Sequence, residues 1–201
     1  MKKTIPLIIG FSPLIAFSLL SKVLPSSDIG VAGLVAALLA LVVMLTSRPV
    51  WPPKILNACS FVVFTVLAVL GFSLGTGDKT WLATWPGGGV AIVIGAVMLL
   101  LVPVIPFTEQ YAKESVPREE WGSPTFKRVN HGLSLAWGVA TVLIGFARVA
   151  AEAVARHSSG HHLAQILLGA GVPIVVIVYM LKFTQGYPER VAHAEPNRRP
   201  A

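Results

Sequence analysis

Six apolar stretches, joined by short polar connections, take up most of this 201-residue chain. Each is about as long as the 17–25 residues that an α-helix needs to cross a hydrocarbon core of roughly 30 Å. Because they leave no room for a separate soluble domain, the sequence predicts an all-α membrane protein, a bundle of six transmembrane helices. The stretches are Ile5–Leu20, Ile29–Leu45, Ile55–Phe72, Gly89–Ile105, His131–Ala151 and Leu163–Met180.

The basic residues lie mainly on one side of this pattern. With a cytoplasmic amino terminus, twelve of the sixteen Lys and Arg residues fall in inside segments and four in outside segments. Short cytoplasmic loops of membrane proteins carry an excess of Lys and Arg. Both termini are therefore predicted to be cytoplasmic, with Arg48, Lys54, Lys127 and Arg128 as anchors at the lipid headgroups.

Composition bears on the classes of partner. Apolar residues make up 54% of the chain and charged residues 12%, as expected for a protein that lies in a lipid bilayer. The formal net charge of +7 would also suit a nucleic-acid partner. The charge is spread over loops and no nucleic-acid-binding motif accompanies it, so we expect lipid and other membrane proteins as partners, and no nucleic acid.

Two prolines lie near the middle of apolar stretches, and the chain becomes polar near its end. Pro13 is in the first stretch and Pro173 in the sixth, where a proline removes a backbone hydrogen bond. We expect helices one and six to be broken there. Residues 1–182 are predicted to form the transmembrane domain, and residues 183–201, which are polar and contain prolines, a disordered cytoplasmic tail.

Small residues recur within the fourth and fifth stretches. Without a hydrophobic driving force between helices in lipid, small side chains allow the close backbone approach that holds membrane helices together. Gly95, Gly132, Gly138 and Gly145 are therefore predicted to be helix-packing residues. The pattern leaves open whether they pack within one chain or in a homo-oligomer.

The sequence contains little that indicates chemistry. The centres of the six stretches contain no Asp, Glu, Lys, Arg or His, although proton-coupled carriers usually need such a group there. Cys59 is the single cysteine, and His157, His161 and His162 belong to an external turn more typical of solvated residues than of a zinc site. The carboxylates from Glu109 to Glu120 alternate with cations, as on a solvated connection. We predict no enzyme activity, no cofactor and no metal.

Two short stretches resemble a known family. The first is Phe11–Phe17, which continues to Lys22 and is followed by an alanine-rich stretch and a Trp–Pro–Lys connection. The second is Lys127-Arg128 ahead of Leu133-Ser134-Leu135-Ala136-Trp137, where Ser134 occupies a position at which that family has Asn. Together they resemble the bacterial intracellular septation protein A family. The resemblance implies a small multi-pass protein of the bacterial inner membrane, associated with envelope synthesis and division.

Two functions are compatible with these observations. The first is a non-enzymatic membrane protein that acts through helix–helix contacts with other envelope or membrane-complex proteins. It fits the many small residues and the absence of catalytic motifs. The alternative is a transporter or channel for a small neutral or lipophilic solute, with the proline-containing helices one and six beside its path.

Overall fold

The computed structural model describes residues 5–47, 53–75, 86–157 and 162–193, and these are helical apart from short turns. Five helices are long and apolar enough to cross a membrane, and a shorter apolar helix lies between the third and fourth of them. This is an all-α fold of the membrane type, as the sequence predicts. The helices are α1 (Ile5–Val23), α2 (Ile29–Thr46), α3 (Ile55–Ser73), α4 (Pro86–Leu101), α5 (Phe107–Ala112), α6 (Pro124–His157) and α7 (His162–His193).

Helices α2 and α3 form one close antiparallel pair. Gly30 of α2 lies against Gly71 of α3, so near that a Cβ atom on Gly71 would be 2.5 Å from the Gly30 Cα. Gly33 lies three residues further along α2 and faces Ala68 in the same way, with 2.8 Å between its added Cβ and the Ala68 nitrogen. The two backbones touch because neither helix has a side chain between them.

Helices α4 and α6 form the second close pair, and they too are antiparallel. Gly88 is beside Gly145, and seven residues later Gly95 is beside the turn of α6 that contains Gly138. Seven residues make almost two turns of an α-helix, which returns the small residues to the same face. The two pairs meet at a shared core to which α1 contributes Phe17, a side chain with no exposed surface.

Helix α6 begins at Pro124, seven residues ahead of the fifth apolar stretch. Ser123 precedes Pro124, a combination typical of a helix start, and the Ser123 hydroxyl accepts a hydrogen bond from the Phe126 N–H at 3.1 Å. The helix extends for 34 residues. At about 1.5 Å per residue it is roughly 50 Å long, well beyond the thickness of a hydrocarbon core.

Helix α7 lies at the edge of the molecule and packs mainly against α6. Only 6% of its most apolar window is buried, against 28–44% for the other four long helices. Pro173 and Met180 are the buried residues of its apolar half within the described part of the chain. Most of the circumference of α7 is thus available to lipid or to another protein.

Helix α1 is not interrupted at Pro13, contrary to the break that we expected there. It is one α-helix from Ile5 to Val23, and Pro13 is buried inside it. A proline at position 13 cannot donate to the Ile9 carbonyl, four residues earlier. The Ser12 hydroxyl donates to that carbonyl instead, at 2.7 Å. The neighbouring side chain thus supplies the hydrogen bond that the proline removes.

Helix α7, the sixth predicted span, departs from regular α geometry immediately before Pro173. Residues Leu167–Gly171 form a π-helical turn, and the Val172 N–H donates to the Leu167 carbonyl five residues earlier. Such single π turns occur within α-helices and often produce bends. The break predicted at Pro173 is not an interruption: the helix widens at this turn and continues on both sides of it.

Helix α7 also extends beyond the end that the sequence predicts. Residues 183–193, which we assigned to a disordered tail, are helical, and Pro188 lies inside the helix. Phe183, Tyr187 and Val191 are spaced four residues apart and pack against Val129 and Leu133 of α6. This apolar stripe explains why the helix continues. Residues 194–201 lie outside the described residues.

Candidate functional site

Polar contacts are concentrated at the end of the bundle where α1, α3 and α6 begin and α2 and α7 end. This end, called the basic end below, includes Lys54 at the start of α3 and Lys127 near the start of α6. The connection between α4 and α6 folds across it. We name residues 106–121 of that connection the crossing segment; it contains α5 and a short 3-10 turn, Arg118–Glu120.

Lys54 is the most deeply buried cation described at this end, with a side chain only 4% exposed. Its ammonium forms an ion pair with the Glu114 carboxylate of the crossing segment and lies 4.4 Å from the centre of the Tyr111 ring. The carboxylate and the π face both compensate the buried charge. Lys54 is predicted to be a headgroup anchor and Glu114 to lie on a solvated connection; the structure brings the two side chains together.

Tyr111 connects the crossing segment to α3. Its hydroxyl donates to Asn57 Oδ1 at 3.3 Å, and the Asn57 amide nitrogen donates to the Ser47 hydroxyl at 3.4 Å. Burial raises the pKa of Tyr111, and the nearby charge of Glu114 raises it further. The phenol therefore stays protonated and remains a hydrogen-bond donor. Gln110 adds a contact, since its Oε1 accepts the Ile55 N–H of the first turn of α3 at 2.8 Å.

A second buried polar group joins the crossing segment to α6. The Thr108 N–H donates to the Ser134 hydroxyl at 3.1 Å, and the Thr108 hydroxyl donates to the Asn130 carbonyl at 2.8 Å. The two hydroxyl oxygens are also 2.8 Å apart. Asn130 in turn donates to the Phe126 carbonyl at 2.8 Å. Ser134 thus has a structural role at the position where the septation protein A motif has Asn.

In the described part of the chain, every buried side-chain nitrogen or oxygen has a hydrogen-bond partner. Polar groups without partners are costly in a low-dielectric interior, so full pairing makes these contacts stabilising. The Lys54 and Thr108 groups hold the crossing segment against α3 on one side and α6 on the other. They fix its position across the basic end.

The crossing segment encloses a cavity of about 1360 Å³ with the ends of α1 and α2. Lys54 and Glu114 contribute to its wall, as do Glu109, Lys113 and Arg118. Pro6, Ile9, Val104, Ile105, Val116, Pro117 and Trp121 form its apolar part, beside Thr46, Ser47 and Gln110. The cavity combines charged and apolar surface at one end of the bundle.

The predicted packing glycines lie at helix contacts. A Cβ atom added to Gly95 would be 2.8 Å from Val142 Cγ2, and one added to Gly145 would be 2.8 Å from the Gly88 carbonyl. Gly138 faces the Leu99 side chain, and Gly132 faces the Tyr187 side chain of α7. Gly95, Gly138 and Gly145 thus belong to the α4–α6 contact, and Gly132 to the α6–α7 contact.

The opposite end of the bundle has a half-buried cation. The Arg148 guanidinium of α6 donates to the Ser18 hydroxyl of α1 at 2.5 Å and to the Gly87 carbonyl at 3.4 Å. No local pattern in the sequence pairs Arg148 with Ser18, which lies 130 residues earlier. The contact links α1, α4 and α6 at this end.

The remaining predicted residues are at the surface or outside the described part of the chain. Lys127 and Arg128 are exposed on the first turns of α6. Arg48 and His161 lie outside the described residues, His157 ends α6, and His162 begins α7. Within residues 5–47, 53–75, 86–157 and 162–193, no three His, Cys, Asp or Glu side chains come together as a metal site.

Comparison with models of known protein families, with characterised proteins and with solved structures finds no match for this chain. The resemblance to the septation protein A family rests on the two sequence stretches alone.

Proposed function

We propose that this chain is an integral membrane protein that crosses the bilayer six times and acts, without catalysing a reaction, by binding other membrane proteins. Its exposed last helix supports this most directly. A helix of 32 residues held along one side leaves a long apolar surface, and only 6% of its most apolar window is buried. Val175 and Tyr179 are 67% and 64% exposed on this surface.

The proposed sixth crossing is α4. Its 16 residues give a length of about 24 Å, shorter than a hydrocarbon core of roughly 30 Å. Helical turns continue at Val102, Val104 and Ile105, which adds apolar length at the basic end. The close antiparallel contact with α6 supports a crossing, because α4 then lies beside a partner that spans the bilayer.

An even number of crossings puts both termini on one side, and the excess of Lys and Arg at the basic end favours the cytoplasm. Taken with the septation protein A resemblance, this supports a place in the bacterial inner membrane. A role in envelope synthesis or division rests on the same resemblance.

The dense packing in the middle of the bundle favours partner binding over transport. Phe17, Phe64, Ile94 and Met98 fill it, each no more than 1% exposed. The Phe17 and Phe64 rings are in contact, with centroids 5.1 Å apart. A continuous path for a solute between α1, α3 and α4 would require these side chains to move apart.

A transporter for a small neutral or lipophilic solute is the second candidate, and the cavity at the basic end favours it. Flux of such solutes into vesicles containing the purified protein tests it. Uptake that does not exceed that of protein-free vesicles would contradict transport.

Site-specific photocrosslinking in intact cells tests the proposed partner binding. A photoreactive residue in place of Val175 or Tyr179 should give an adduct of one discrete mass with another membrane protein. Val62, 60% exposed on α3, is the matched control and should give none. Lipid adducts alone at all three positions would contradict the proposal. An adduct of twice the chain's mass would replace it with self-association.

A further inference from the structure

The cavity at the basic end opens between two kinds of surface. Its apolar wall includes Ile9 from the first turns of α1 and Val104 and Ile105 from the turn after α4. These three side chains are 44–74% exposed, and they continue the apolar outer faces of their helices. In a bilayer, this wall would be continuous with the acyl chains of the adjoining leaflet.

The opposite side of the cavity is charged, with three cations and two carboxylates. Lys113 Nζ lies 5.3 Å from the centre of the Trp121 ring, and the Arg118 guanidinium carbon lies 5.7 Å from it. The indole N–H donates to the Val116 carbonyl at 2.9 Å, which holds the ring close to both cations. Two positive charges beside one ring repel each other, and an anion placed near both would reduce that repulsion.

The charges on the cavity wall do not cancel. Lys54 pairs with Glu114, and Lys113 pairs with Glu109 at 2.7 Å. In the described part of the chain, Arg118 is the cation of this wall that has no carboxylate within salt-bridge distance. A guanidinium presents several donors in one plane, an arrangement that suits a phosphate group.

We propose that this cavity binds an anionic membrane phospholipid from the leaflet at the basic end. The phosphate lies between Arg118 and Lys113, beside the Trp121 ring. The upper part of the acyl chains lies along Ile9, Val104 and Ile105. A volume of about 1360 Å³ accommodates a headgroup together with the first part of its chains. The site does not depend on the partner proposed for α7.

A phospholipid fits this cavity better than a soluble phosphate, because only the lipid uses both walls. Burial of acyl methylene groups contributes about 0.8 kcal/mol for each group removed from water. Contacts with α3 and α6 hold the crossing segment in place, and Lys113 and Arg118 both lie against the Trp121 ring. The two cations are thus positioned before the lipid arrives, which lowers the entropy lost on binding.

Native mass spectrometry of the intact, detergent-solubilised protein tests the proposal. Phosphatidylglycerol should remain bound as a discrete one-to-one adduct, and phosphatidylcholine should bind at least tenfold more weakly. The double variant K113A/R118A should lose at least tenfold in affinity for phosphatidylglycerol. Lys127 is an exposed cation of the same end outside the cavity wall, so K127A is the matched control and should change affinity less than twofold.

Three results would overturn the proposal. If K113A/R118A and K127A lost equal affinity for phosphatidylglycerol, the protein would attract anionic lipid diffusely and not at this site. If phosphatidylcholine bound as tightly as phosphatidylglycerol, only the apolar wall would contribute to binding. Full displacement of the lipid by millimolar inorganic phosphate would mean a site for a soluble anion.

A second measurement does not depend on the folding of the charge variants. One equivalent of phosphatidylglycerol brominated on its acyl chains should quench part of the tryptophan fluorescence of the unaltered protein. The W121F variant should lack the quenching that comes from Trp121. Equal quenching in both proteins would place the lipid elsewhere and contradict the site.

Discussion

Lys54 shows at the scale of one residue how this chain buries charge. Its side chain is 4% exposed, and its carboxylate partner, Glu114, is sixty residues later in the sequence. Transfer of a lysine ammonium out of water is costly unless an anion and other polar groups compensate it. The start of α3 is therefore stable only when the crossing segment is in place and Glu114 can pair with Lys54.

Removal of the anion should leave Lys54 buried without its partner. We expect Glu114→Ala to lower the free energy of unfolding by about 2–4 kcal/mol; the 26% exposure of Glu114 reduces the penalty of a fully buried pair. The double variant K54M/E114A should recover most of this loss. Lys113→Met, in a more exposed pair, should cost less than about 1 kcal/mol. Denaturation in detergent measures all three, and equal losses in E114A and K113M would contradict the account.

The surroundings of each glycine predict how much an added side chain lowers the stability of the protein. At Gly145 a Cβ atom would meet the backbone of α4, which must move as a unit, whereas at Gly138 it would meet the end of a flexible Leu99 side chain. Gly145→Ala should therefore lower stability by about 1–3 kcal/mol, and Gly138→Ala by less. Gly89→Ala, with no atom within 4 Å of the new Cβ, is the control. Thermal stability in detergent measures this order, and the reverse order would count against the α4–α6 contact.

At the scale of one element, α1 shows how a membrane helix accommodates an internal proline. The Ser12 hydroxyl bonds the carbonyl that Pro13 leaves without a backbone donor. Ser12→Ala should therefore lower the free energy of unfolding by about 1 kcal/mol. In the double variant S12A/P13A the new amide at position 13 can donate to Ile9, and stability should return. If S12A costs the same whether or not Pro13 is present, the hydroxyl does not replace the missing bond.

The helices show which features could be predicted from the sequence. Apolar length located five long helices and the short α4 to within a few residues at most ends, because crossing a bilayer fixes both composition and length. The start of α6 carries a local signal, Ser123-Pro124, and the helix begins there. The end of α7 was predicted wrongly because polarity was given more weight than the spacing of Phe183, Tyr187 and Val191, which carries a helical signal.

Contacts between distant residues could not be predicted in this way. Lys54 and Glu114, or Ser18 and Arg148, are far apart in the sequence, and neither pair follows a local spacing rule. Their meeting depends on how the helices pack, which hydropathy does not encode. Tyr111 is a similar case. Its burial follows from the fold of the crossing segment and not from the residues around it in the sequence.

At the scale of the whole molecule, two tight helix pairs and α1 form a closed bundle, and α7 is attached along one side. The central claim is that α4 crosses the bilayer, since this crossing makes the number even and puts both termini on one side. Gly75 follows α3, and Ser115 follows α4 at the basic end; both are exposed. A crossing by α4 requires these two residues to face opposite sides of the membrane.

Cysteine accessibility at these two positions tests the claim most directly. In a Cys59→Ser background, the variants G75C and S115C each carry a single thiol, because Cys59 is the one cysteine of the chain. A membrane-impermeant maleimide should label G75C in intact cells and S115C only after the membrane is permeabilised. Labelling of both variants from the same side would mean that α4 does not cross, and it would contradict the six-helix account.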